Sequence, residues 1–296
     1  MAAGSMMKAV IATLAGFAFL SMIAVFVKLE GNGGASIQWI VLMQYLTCLV
    51  IILILAAKNK FRDLKTSVLK YHIIRGITGI LAFGCGVAAI TKIPLVNASL
   101  LNNTAPLFIP IITLLWLKTK IDEKIWYGIV TGFIGIILIL RPKPGDLLSE
   151  GDMYGIAAGI FLAIAYVSLK ILTKTESFIT VLFYYSAIAT MLSLPFAIMN
   201  WTNPPLEIWI YGILTGICFI SYLFLIQYSY GLVEAIKLAP FNYAVVVFTG
   251  IFDWLIFKNV PGLLSLLGIA LVIIGGILAI TLHEKDNKHL KHHWHS

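Results

Sequence analysis

Apolar residues fall along this chain in ten blocks, most of roughly 16–24 residues, the length at which a helix crosses a hydrocarbon core about 30 Å thick. The blocks run Lys8–Val27, Ser36–Ala57, Lys70–Thr91, Leu95–Leu117 and Ile125–Leu140, then Asp152–Leu172, Phe178–Ile198, Glu207–Tyr228, Val233–Phe257 and Pro261–Leu282. Within lipid every backbone polar group must be satisfied inside the segment, so each block predicts a helix. The fifth is the shortest, and nine helices is the competing count. The first block is followed by no polar cleavage region and is expected to be a retained helix, not a signal peptide.

Composition agrees with the block pattern. Of the 296 residues, 60% are hydrophobic and 11% charged, with mean hydropathy +0.97. A soluble domain carries about 25% charged residues. The net charge of +8 would in a soluble protein raise the question of nucleic acid, but loop lysines and arginines orient membrane proteins, and no nucleic-acid partner is expected. With a cytoplasmic N-terminus, Lys8, Lys58, Lys60, Arg62, Lys65, Lys70, Arg75, Lys118, Lys120, Lys124, Lys170, Lys174, Lys237, Lys285, Lys288 and Lys291 fall inside. Lys28, Lys92, Arg141, Lys143 and Lys258 fall outside, a division of 16 to 5 among the 21 basic residues. One helix more or fewer would break that alternation. Both termini are therefore expected in the cytoplasm, with membrane lipid as a partner and a bacterial inner membrane as the location.

The two halves repeat at a spacing near 140 residues. Gln44-Tyr45 falls opposite Tyr184-Tyr185, Arg75-Gly76 opposite Tyr211-Gly212, and Val96-Asn97-Ala98 opposite Val233-Glu234-Ala235. Gly128 matches Gly268 and Gly135 matches Gly275. The expected organisation is a five-helix repeat over 1–145, a second over 146–285 and a polar cytoplasmic tail over 286–296. An odd number of helices per repeat forces the second copy to enter the membrane from the opposite side. The fold class expected is all-α integral membrane, ten helices in two inverted five-helix repeats, a plan recurrent in secondary transporters.

On those residues the chain resembles the drug/metabolite transporter superfamily, in particular its EamA-like branch. The resemblance covers nearly the whole chain and rests on Arg75-Gly76, Ala98-Ser99-Leu100 through Pro106-Leu107-Phe108, Gly132-Phe133-Ile134-Gly135 running into Arg141-Pro142, Ala239-Pro240 with Tyr243, and Leu267-Gly268 through Gly275-Gly276. Two departures stand out. The family commonly has an arginine where this chain has Gln44, and often a Gly-Glu pair where it has Lys118-Thr119-Lys120 and Lys258-Asn259. The resemblance implies transport of amino acids or related zwitterionic metabolites, drugs or nucleoside-like compounds, and some relatives in the superfamily carry S-adenosylmethionine.

Candidate chemistry is sparse. There is no P-loop, zinc spacing or GxSxG, so no catalytic residue, metal site or cofactor is expected. Cys48, Cys85 and Cys218 lie inside apolar blocks without CxxC spacing and read as packing residues. Pro106 and Pro240 remove the helical bonds that would reach the carbonyls of Asn102 and Ile236, and at membrane depth a freed carbonyl must be buried in protein or line a cavity. Asn102 and Asn103 adjoin the first break, Asn242 and Tyr243 the second. With Gln44, Tyr45, Arg75, Tyr166, Tyr185 and Gln227 they form the expected substrate pocket, with apolar walls and few polar handles. Arg75 suits a carboxylate or phosphate, or snorkels to the interface. Asp253 is a possible coupling residue, or a surface partner of Lys258. No acid is expected at mid-membrane. The expected function is a secondary carrier of a small organic metabolite working by alternating access. A multidrug or cationic-compound exporter and a non-transporting scaffold or sensor are the alternatives, and the chain is expected to be a monomer or homodimer.

Overall fold

The computed structural model describes residues 3–58, 64–118, 123–140, 148–173, 175–232, 238, 241, 244–259, 262–263, 266–275 and 278, and every regular element among them is a helix. The helices are α1 (Ala3–Asn32), α2 (Ile37–Lys58), α3 (Leu69–Lys92), α4 (Leu95–Asn102), α5 (Ala105–Leu117), α6 (Glu123–Leu140), α7 (Glu150–Leu172), α8 (Phe178–Met199), α9 (Leu206–Leu232), α10 (Ala244–Phe257) and α11 (Leu266–Gly275). With α4 and α5 taken as one broken segment, they match the ten predicted segments. Among the described residues, seven segments are long and apolar enough to cross a membrane. Leu115, Met191, Met199 and Leu206 are more than 70% exposed, while Gln44, Ser168, Thr215, Thr249 and Asp253 are fully buried. Polar groups inside and large apolar groups outside is the distribution that lipid, not water, stabilises.

Local chemistry sets the boundaries. Ser149 caps α7 in a reciprocal box with Asp152, and Ser177 caps α8 through the Thr180 amide; each cap satisfies amides that the first turn leaves free. The break predicted at Pro106 lies between α4 and α5, with Pro106 in the first turn of α5, where its missing N–H costs nothing. The Asn103 and Thr104 amides donate to Ser99 O and Leu101 O at 3.0 and 3.1 Å, closing α4 with a tightened turn. Pro240, the second predicted break, lies outside the described residues. One boundary corrects the expectation: α1 continues past Val27 to Asn32, which carries Lys28 and Glu30 into the helix. Nothing in Val27-Lys28-Leu29-Glu30 breaks a helix, and the first helix-weakening residue is Gly31.

Packing follows a regular scheme. α1 lies along α9, α3 along α7, and α2 against α8. Small residues set the closest approaches: a Cβ at Gly159 would stand 2.9 Å from the Leu101 carbonyl, and one at Gly155 2.8 Å from Leu101 Cβ. α6 and α11 cross on glycines, with Gly135 against Gly268 and Val272, and Gly275 against Gly128 and Gly132. Without a hydrophobic drive between helices in lipid, such close backbone contact is what holds them. Lys118 after α5 and Lys258 after α10 both adopt left-handed backbone, φ 52° and 60°. These are the positions where the resembled family often carries glycine, the residue that takes φ > 0 at a helix end without strain.

Candidate substrate site

Two equivalent tyrosines meet where α2 faces α8. Tyr45 Oη and Tyr185 Oη are 2.7 Å apart, and Tyr45 also donates to the Gly79 carbonyl on α3 at 3.3 Å. Their rings pack edge to face, centroids 5.3 Å apart, and Phe83 and Phe219 stand edge-on to Tyr45 at 5.7 and 6.3 Å. The contact requires glycine at 79, because a Cβ there would collide with the Tyr185 ring and lie 2.8 Å from its hydroxyl. Tyr45 and Tyr185 differ by 140 in sequence, the repeat spacing.

Arg75 lies one turn before Gly79 on the same face of α3. It is 6% exposed, so it does not snorkel. Its guanidinium carbon stands 4.7 Å over the Tyr185 ring, and Nη1 donates to the Ala165 carbonyl on α7 at 3.1 Å. Nε reaches no hydrogen-bond partner, and no carboxylate pairs with Arg75 among the described residues. Gln44, fully buried beside Tyr45 in sequence, has both amide atoms without a hydrogen-bond partner. Buried donors and acceptors left unmade cost about 1–3 kcal/mol each. Tyr166 of α7 is 36% exposed and hydrogen-bonds Tyr222 on α9. Gln227 is exposed.

Asn102 and Asn103 belong to a different place. With Ser99 they line a cavity of about 80 Å³ walled by Leu20, Phe83, Val87 and Val245, between α1, α3, α4 and α10. Asn103 spends its amide on the Ser99 carbonyl at 2.7 Å, and Ser99 meets Thr249 of α10 at 3.3 Å. Phe83 is shared, touching Tyr45 on one side and the cavity on the other. Asn242 and Tyr243 lie outside the described residues.

Three further ionisable groups are enclosed. Asp253 is buried and pairs with Lys28 of α1 at 3.9 Å, not with Lys258. It also accepts from the Val96 amide at 3.2 Å and Asn259 Nδ2 at 3.0 Å. Sequence reasoning missed Lys28 as its partner because α1 was ended at Val27. Breaking a buried pair from one side costs about 3–5 kcal/mol; Asp253→Ala is expected to lower thermal stability by that order in detergent, with Asp253→Asn recovering much of it by keeping an oxygen for the Val96 amide. Glu30, two residues from the end of α1, is fully buried and accepts from Thr215 Oγ1 of α9 at 2.6 Å. His72, three residues before Arg75, is buried 3.9 Å from Glu176, which also accepts from Thr66 at 2.8 Å. An isolated histidine in an apolar run offered no signal for that pairing.

Known proteins resemble this chain along most of its length. The model of the EamA-like transporter family matches residues 7–141 and again 149–281. The chain is 30% identical over 230 residues to the S-adenosylmethionine uptake transporter of Rickettsia felis, covering 77% of each chain. It is 27% identical to the pseudopaline exporter CntI of Pseudomonas aeruginosa, over 69% of this chain and 72% of that one. The riboflavin transporter of Vibrio cholerae is 26% identical over 87% of each. A protein of known crystal structure superposes with TM-score 0.63 at 17% identity, over 93% of this chain and 98% of its own, which establishes a shared fold.

Proposed function

The chain belongs to the EamA-like transporter family and moves a small organic metabolite across a membrane, and on that premise we propose that its substrate is an S-adenosylmethionine-like zwitterion carried by alternating access. The observation that supports this most is Arg75: a buried guanidinium without a carboxylate partner among the described residues, held over Tyr185. Its planar fork suits a substrate carboxylate. The faces of Tyr45, Tyr185, Phe83 and Phe219 suit a flat ring or a sulfonium cation, and the unpartnered amide of Gln44 suits a polar edge. The 30% identical relative named for S-adenosylmethionine uptake points the same way.

The proposed mechanism uses two inverted repeats, 1–145 and 146–285. The two separate family matches support it, as do the pairing of α1 with α9 and α3 with α7, the Tyr45–Tyr185 contact and the reciprocal glycine crossing of α6 and α11. One fold in two opposed orientations has two mirror-related states, one open to each side. The Tyr45–Tyr185 bond closes one face of the site and opens when the halves rock. Both termini then lie in the cytoplasm of a bacterial inner membrane.

A thermal-shift and counterflow series tests the substrate. S-adenosylmethionine at 100 Kd is expected to stabilise the purified protein by about 2.7 kcal/mol and to drive exchange in proteoliposomes. Riboflavin, which has no carboxylate, is expected to shift it less and without dependence on Arg75. A riboflavin shift equal in wild type and Arg75→Ala, with none from S-adenosylmethionine, would overturn the assignment.

A further inference from the structure

We propose that Glu30 is the proton-binding site that couples transport to a pH gradient, an inference resting on the carrier reading above. Glu30 is 0% exposed in the stretch of α1 packed on α9. One carboxyl oxygen takes the Thr215 hydroxyl at 2.6 Å, and the other, Oε2, is buried and reaches no hydrogen-bond partner. Asp253 has Lys28 and Glu176 has the Thr66 hydroxyl, whereas among the described residues no basic side chain stands within ion-pair distance of Glu30. An ionised carboxylate without a counter-charge is expensive to enclose. A proton on the carboxyl removes that charge, whereas a metal ion would need several oxygens, and no cluster of metal-binding side chains occurs among the described residues.

The surroundings leave the site to Glu30. On α9, Tyr211 donates to Glu207 at 2.6 Å and Cys218 is a buried free thiol. On α3, Lys92 is held by Glu150 at 2.8 Å and Cys85 is a half-buried thiol. On α10, Asp253 is held by Lys28. The nearby stretches of α2 and α4 carry only Tyr45 and Cys48 as titratable groups. Thr215 Oγ1 lies 2.6 Å from Glu30 Oε1 and 3.0 Å from the Tyr211 carbonyl, so its single proton is shared between the two acceptors. Its hydroxyl holds the carboxyl on α9, so sliding of α1 against α9 alters the shell around the proton. α1 is also the helix that carries Lys28 to Asp253 on α10 and Leu20, Ile23 and Ala24 to the Asn102 cavity. Movement of this one helix therefore links the carboxyl to the walls of the Asn102 cavity, which shares Phe83 with the tyrosine site.

Two measurements test the proposal. Infrared difference spectra of purified wild type against Glu30→Gln are expected to show the carbonyl stretch of a protonated carboxylic acid in the wild type, absent from Glu30→Gln and present in Asp253→Asn. In proteoliposomes with radiolabelled S-adenosylmethionine, one proton per solute supports about tenfold accumulation per unit of pH gradient. Wild type is expected to approach that ratio, while Glu30→Gln equilibrates without accumulating and still exchanges at equal pH. A wild-type spectrum lacking the band, or undiminished accumulation by Glu30→Gln, overturns the assignment. Absence of exchange in the wild type would instead remove S-adenosylmethionine as substrate, and the infrared result would decide the proton site on its own.

Discussion

Arg75→Lys is expected to weaken binding and exchange of S-adenosylmethionine sharply while leaving the protein folded. Lysine keeps the charge but offers a compact ammonium in place of a planar fork. It cannot lie flat over the Tyr185 ring, donate to the Ala165 carbonyl and present a bidentate edge together. Losing one side of a buried, hydrogen-bonded charge pair costs about 2–5 kcal/mol, and each 1.4 kcal/mol is tenfold, so affinity should fall by about 30-fold to several thousand-fold. Titration of the thermal shift against S-adenosylmethionine measures this directly. Arg75→Ala should lose binding and some stability as well, because the α3–α7 link to Ala165 goes with it. Wild-type affinity in Arg75→Lys would make this arginine a helix clamp with no part in binding.

Gly135→Leu is expected to prevent recovery of a monodisperse protein, and Gly135→Ala to destabilise it by at least about 2 kcal/mol, within the range for overpacking a close contact. A Cβ on Gly135 would stand 2.7 Å from the Gly268 carbonyl oxygen and 2.7 Å from the Val272 amide nitrogen. Both are backbone atoms of α11, so no side-chain rotation relieves the clash. Gly275→Ala, which meets the Gly128 carbonyl at 2.6 Å, should behave alike. Gly84→Ala, on the same lipid-spanning scale but with only Val41 near at 4.0 Å, is the control and should be neutral. Size-exclusion profiles and melting curves in detergent separate the three.

Much of the fold was legible because lipid imposes a one-dimensional rule. A helix must be apolar for its whole length, so the segments from Ile37 to Lys58 and from Phe178 to Met199 stand within a residue or so of the predicted bounds. The glycine pairs 128/268 and 135/275 were visible as a repeat, and the structure has them touching crosswise. The Asn102–Pro106 break was visible too, since proline lacks an N–H. What failed did so at polar residues near helix ends. Lys28 and Glu30 look like the start of a loop in sequence, because charge near the end of an apolar run ordinarily marks the interface. Only α9 and α10 packed beside them make those charges tenable, with Thr215 and Asp253 as partners.

The sequence by itself determined that this chain crosses a membrane as many helices, in two related halves, with a few polar residues inside. Hydropathy over a span is a sum over neighbours in the chain, and a duplication leaves its spacing in place. The tertiary structure decided which of those polar residues meet. It joined Tyr45 and Tyr185 into one contact, laid Arg75 over it, set Asn102 and Asn103 in a separate cavity, and enclosed Glu30. Hydrogen bonds act over about 3 Å, and residues brought within that distance here come from helices up to 224 positions apart in sequence. No local pattern records such a meeting, because it is produced only when the helices pack.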